Sequence, residues 1–75
     1  MARADFVPTA IYLERSGAGL RLTFTASNAA GRIPADESRT SGPRAASRLR
    51  EKGESFARAY GVRFEDRTGG ADERR

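Results

Sequence analysis

The stretch Ser41–Gly61, SGPRAASRLREKGESFARAYG, constrains the fold more than any other part of this 75-residue chain. Pro43 suits a first helical turn, where its missing N–H costs nothing, and Ser41 or Gly42 can cap the helix. Gly61 supplies the stop. Between them Ala45, Leu49, Gly53, Phe56 and Tyr60 recur at spacings of four, four, three and four, which keeps all five on one stripe of an α-helix. A glycine inside a helix costs ~1 kcal/mol relative to alanine. Gly53 therefore marks either a break or a point of close approach, and because the apolar stripe continues in phase beyond it, close approach is the expectation.

The remaining sequence supplies a small sheet to cover that stripe. Pro8 biases Val7 toward extended geometry. Thr9–Arg15, TAIYLER, alternates Ile11 and Leu13 against Tyr12 and Glu14. Leu20–Ala26, LRLTFTA, alternates Leu20, Leu22, Phe24 and Ala26 against Arg21, Thr23 and Thr25. Ser16-Gly17-Ala18-Gly19 between them offers two glycines for positive φ, so the pair reads as a hairpin. Val62–Glu65 alternates once more and is expected as a third strand, parallel or antiparallel to a hairpin strand; a parallel β–α–β arrangement would make the crossover right-handed. Ser27–Ser41 has little periodicity, one apolar anchor at Ile33 and a Pro34-Ala35-Asp36-Glu37 run that could open one helical turn, and it is expected as a long loop over 27–42. Residues 1–5 are expected to fray and 68–75 to form a flexible tail.

The resulting expectation is a single α+β domain over 1–75, in the order β-β-α-β: an antiparallel hairpin and a short third strand, packed in two layers against one amphipathic helix. The inward set is Ile11, Leu13, Leu20, Leu22, Phe24, Leu49, Phe56, Tyr60, Val62 and Phe64. The opposite sheet face would be bare, presenting Tyr12, Glu14, Arg21, Thr23, Thr25 and Arg63. Thirteen of the apolar residues are alanine, leaving 15 larger apolar side chains, so the core is thin.

Charge is distributed unevenly. The net charge is +4. Residues 43–60 contribute +3, residues 1–26 contribute +1, and every other stretch sums to zero. Arg44, Arg48 and Lys52 stand four apart and form a ridge beside the apolar stripe, with Glu51 nearby and Glu54 placed four residues before Arg58. Thirteen arginines against one lysine favour bidentate recognition of carboxylate or phosphate. The joint abundance of alanine, glycine and arginine is also the signature of a GC-rich genome.

Absences narrow the chemistry. Histidine and cysteine are lacking, which removes the commonest general base, the thiol nucleophile and most transition-metal ligands. Asp36-Glu37 and Glu65-Asp66 read as solvated charges, and the lone Gly17-Ala18-Gly19 lacks the rest of a dinucleotide or P-loop motif. No cofactor, metal or enzymatic activity is expected. There is no signal-like run and no apolar stretch of membrane-spanning length, so a cytoplasmic protein without a membrane partner is the expectation.

Binding remains. The first reading is a small protein that docks an arginine-rich face onto an acidic surface of a larger protein or nucleoprotein complex, through Arg44, Arg48, Lys52, Arg50, Arg58, Arg21, Tyr12 and Arg32; Arg and Tyr dominate interface hot spots. A phage-borne inhibitor of a host nucleoprotein complex, as anti-CRISPR proteins are, exemplifies this class by analogy of size and character alone. The alternative is a nucleic-acid module of low specificity, whose helix ridge meets phosphates; stacking of RNA bases on the bare sheet face would rest on Tyr12 alone. A monomer or a homodimer suits either.

Overall fold

The computed structural model describes residues 6–68. Five elements follow in the order β1 Pro8–Ser16, β2 Gly19–Ala26, β3 Ala29–Ser38, α1 Pro43–Tyr60 and β4 Arg63–Arg67. The four strands form one sheet in the order β3-β2-β1-β4. β1 and β2 are antiparallel from Pro8↔Ala26 to Ser16↔Gly19, β2 and β3 are antiparallel, and β4 runs parallel to β1 from Ala10↔Arg63 to Glu14↔Arg67. The helix lies on one face of the sheet, against β1 above all. The architecture is thus α+β with one helix on a mixed sheet, as the sequence implies, but the order is β-β-β-α-β.

The additional strand is β3, and it replaces the loop expected over 27–42. Its pairing is irregular, with register shifts where Leu22 and Thr23 face Asp36 and Pro34 and again where Phe24 and Ala26 face Ile33 and Ala29. Each shift resets the in–out alternation, which is why Ala29–Ser38 shows no period of two in sequence. Gly31 at φ 76° and Pro34 are tolerated because β3 is an edge strand. The expected third strand, Val62–Glu65, is β4, shifted to Arg63–Arg67.

Ile11, Leu13, Leu20, Leu22 and Leu49 are fully buried, joined by Phe24, Ala26 and Ala57. Phe56, Val62 and Phe64 pack against this core half-buried. Tyr60, expected inward, is 57% exposed. It is the last helical residue, and its ring leans on Phe56 at 5.0 Å rather than entering the core. Phe56 in turn meets Phe24 edge-on at 5.4 Å, and Phe24 meets Phe6 at 6.1 Å.

Both helix ends follow from local sequence. Gly42 is the N-cap, with no side-chain bond, and Pro43 opens the first turn. At the other end Gly61 takes φ 68°, its N–H reaches the Arg58 carbonyl, and the Val62 N–H reaches the Ala57 carbonyl at 2.9 Å. These are the two bonds of a Schellman motif.

Two glycines are set by contact rather than by φ. The helix runs unbroken through Gly53, where a Cβ would press into the Phe64 ring and lie 2.9 Å from Leu22 Cδ1. Close approach is the reason for this glycine. Gly19 was expected to take positive φ; only Gly17 of the hairpin turn does so, at 62°. A Cβ on Gly19 would instead collide with the Ser38 carbonyl and lie 2.8 Å from the Arg39 carbonyl carbon, so this glycine lets β3 approach β2.

Of the expected fraying ends, residues 1–5 and 69–75 lie outside the described residues. Thr68 is held in place. Its N–H and hydroxyl both donate to Asp66 Oδ1, at 3.0 and 2.6 Å, and its carbonyl accepts from Arg15 Nε at 2.7 Å.

Gly53→Ala is expected to lower stability by about 1–2 kcal/mol despite its better helix propensity, because overpacking against Phe64 and Leu22 outweighs the propensity gain. Gly19→Ala is expected to cost more, since a backbone carbonyl cannot rotate away. Urea unfolding midpoints of the two variants check both; a Gly53→Ala protein more stable than the parent would contradict the packing account.

Candidate binding face

The cationic ridge on α1 is largely engaged within the molecule. Asp36 of β3 lies on the helix side of the sheet and accepts from Arg48 Nη1 at 3.2 Å and from Lys52 Nζ at 3.0 Å. On the other flank, Arg50 donates through Nε and Nη2 to Asp66 Oδ2 of β4, at 2.9 and 2.8 Å. The two outer strands thus hold the two flanks of the helix. Lys52 and the Glu37 backbone N–H, with Arg48, keep the Asp36 carboxyl below its ordinary 3.8. Burial pushes Asp66 up, but the Thr68 hydroxyl and amide and the Arg50 guanidinium outweigh it, and its pKa also lies below the ordinary value.

Of the helix cations, Arg48, Lys52 and Arg50 are therefore each paired with a carboxylate of the sheet. The pairing was not visible in sequence because the partners lie 12 to 16 residues away. Arg44 and Arg58 are exposed and, among the described residues, have no carboxylate within ion-pair distance. Glu51 and Glu54 likewise form no ion pair there.

The face of the sheet away from the helix carries a different arrangement. Tyr12, on β1, sits across from Thr23 of β2 and Glu65 of β4. Its outward direction is as expected, yet it is only 8% exposed. The reason is that two guanidinium groups cover the ring: Arg32 of β3 at 4.0 Å from its centroid and Arg67 of β4 at 4.9 Å. Cation–π contacts of this kind stabilise by about 0.5–2 kcal/mol, depending on desolvation.

Carboxylates hold those arginines in position. Glu14 Oε2 accepts from Arg32 Nη1 at 2.6 Å and lies 4.0 Å from Arg67 Nη1. Glu65 bridges Arg67 at 3.1 Å and Arg63 at 2.7 Å. Between Arg32 and Glu14, the buried Thr23 hydroxyl lies 3.5 Å from each. The result is a row of alternating sign drawn from β3, β1 and β4: Arg32, Glu14, Arg67, Glu65, Arg63. The hydrogen bond from Arg63 is the main cause of a lowered Glu65 pKa, and Glu65 raises that of Arg63 in return. Arg21 stands on the same face, 3.8 Å from Glu37.

Of the eight candidate residues, the structure gathers Tyr12 and Arg32 in one stack with Arg21 on the same face, while Arg44, Arg48, Arg50, Lys52 and Arg58 belong to the helix. Arg67 was missed. It falls just beyond the alternation of Val62–Glu65, and only its register opposite Glu14 brings it over Tyr12. Among the described residues there is no group of three or more potential metal ligands, and no helix is long and apolar enough to cross a membrane. Comparison with protein families, with curated proteins and with solved structures gives no match.

The pH dependence of stability follows from the two aspartates together with Glu65. Their folded pKa values lie below the unfolded ones, so their contribution is present at neutral pH and lost as pH falls through the folded values. Thermal midpoints measured from pH 7 downward should fall below about pH 4. Asp36→Asn should be less stable at pH 7, by roughly 0.2–1 kcal/mol per lost pair, and should lose less on acidification. Coincident curves for parent and variant would mean that the Asp36 clamp contributes nothing.

Proposed function

We propose that this chain is a non-enzymatic binding module that docks the helix-free face of its sheet onto an acidic surface of a larger partner protein or complex. The observation that carries this reading is the stack of Arg32 and Arg67 over Tyr12. The two arginine side chains are 36% and 50% exposed, yet carboxylates and an aromatic ring hold their guanidinium groups in place. Ordering long side chains is a major cost of association, and here much of it is met before the partner arrives. Arginine and tyrosine are also the side chains over-represented at binding hot spots.

Charge pattern favours a protein partner. Glu14, Glu37 and Glu65 are interleaved with Arg21, Arg32, Arg63 and Arg67 on this face, so a continuous phosphate backbone would meet repulsion as well as attraction. The helix ridge that would serve a nucleic-acid module has Arg48 and Lys52 already shared with Asp36, and Arg50 with Asp66. A surface with localised acidic side chains suits the face better.

The test compares two double variants in pull-downs from the native host. Arg32→Ala/Arg67→Ala should retain its circular dichroism spectrum and lose the partner, whereas Arg44→Ala/Arg58→Ala, on the helix, should keep it. Labelled single- and double-stranded DNA and RNA, titrated by fluorescence anisotropy at physiological salt, should show no submicromolar binding. Salt-resistant binding there, or loss of the partner only with the helix pair, would overturn the reading.

A further inference from the structure

The two edges of the sheet differ in what they can accept. β3 is poorly suited to another strand: Pro34 lacks an amide, Gly31 departs from extended geometry at φ 76°, and its pairing with β2 shifts register twice. β4 is regular. Its five residues pair with β1 without a shift from Ala10↔Arg63 to Glu14↔Arg67, and among the described residues no strand pairs with its outer side. A regular edge leaves a row of backbone donors and acceptors ready for another strand.

From this edge and its charge pattern we infer that β4 is the site where a second copy of this chain adds, antiparallel and centred on Phe64. A two-fold axis normal to the sheet generates such a pair and keeps like faces together. In this register Arg63 of each copy stands opposite Glu65 of the other, both on the helix-free face, while the two Phe64 rings meet on the helix face. Opposite charges directly across antiparallel strands are favourable, and like charges are not.

The neighbouring registers are each penalised. Centring on Glu65 sets it against its own copy and places Arg63 opposite Arg67. A centre at Asp66 faces two aspartates, and one at Arg63 faces two arginines. Only the Phe64-centred register places no like charges of β4 opposite one another. Arg63, whose side chain is 66% exposed at the end of the row of alternating sign, continues that row into the second copy. The dimer is an eight-stranded sheet with both helices on one side and both helix-free faces on the other. It stands independently of the docking role proposed for that face.

Charge exchange tests the register directly. Sedimentation equilibrium or light scattering across a concentration series should show the mass rising from 8.1 kDa to twice that value. Arg63→Glu and Glu65→Arg should each remain monomeric, because each sets like charges across the axis. An equimolar mixture of the two should recover the doubled mass, and so should one chain carrying both changes. A parent that stays at 8.1 kDa throughout, single variants that dimerise as the parent does, or a mixture that remains monomeric would each overturn the inference. Circular dichroism verifies folding of each variant; if neither single variant folds, the parent's mass and that of the doubly exchanged chain decide.

Discussion

One helix cannot cover a four-stranded sheet. An α-helix with its side chains is about 10–12 Å across, whereas four strands at about 4.8 Å spacing, with their own side chains, are wider. The fully buried residues accordingly lie along the middle of the molecule: Ile11 and Leu13 on β1, Leu20 and Leu22 on β2, and Leu49 on the inner side of the helix. Gly53 lets the helix approach closely enough for this thin core to close over Leu22 and Phe64. At the two margins, where the helix no longer reaches, polar side chains complete the layer. Asp36 meets Arg48 and Lys52 on one side, and Asp66 meets Arg50 on the other.

The same shortage of cover governs the opposite face. No element lies over it among the described residues, yet Tyr12 stands at its centre on β1, one strand from the edge. A bare aromatic ring there would expose apolar surface to water. Arg32 and Arg67, from the two edge strands, place their guanidinium groups over it, and arginine is suited to this because it is weakly hydrated. Four of the arginines thus serve two structural tasks, Arg48 and Arg50 flanking the helix and Arg32 and Arg67 roofing the sheet.

What was legible in the sequence, and what was not, follows the range of the interactions. The hairpin, the helix and its glycine stop, and the close approach at Gly53 are written in local periodicity and punctuation, and all are present. β3 was not legible, since its form depends on β2: the bulges at Ala35 and beyond Ile33 are responses to pairing, and without them Ala29–Ser38 is a polar run with glycine and proline. Tyr12 could be assigned to the outer face but not to burial, because its cover comes from residues 20 and 55 positions away in sequence. The ridge of Arg44, Arg48 and Lys52 was legible as a spacing. That Asp36 would neutralise two of its members was not, because a spacing on one helix carries no information about the strand beside it.

This internal pairing constrains the docking role proposed for the sheet face. A row of arginines without carboxylates would attract any anion, and its affinity would follow the density of negative charge. Here each cation of the row already has Glu14 or Glu65 within reach, so an incoming carboxylate must share or displace an existing bond. An unbroken run of negative charge, such as a phosphate backbone, gains little by that exchange, since what it offers the arginines it loses against the glutamates. A partner whose own charges alternate in the complementary order adds contacts without breaking any, and mismatched order sets like charges together. In the docking role proposed for it, such a face would discriminate by pattern more than by net charge, which separates selective docking from general attraction to anions.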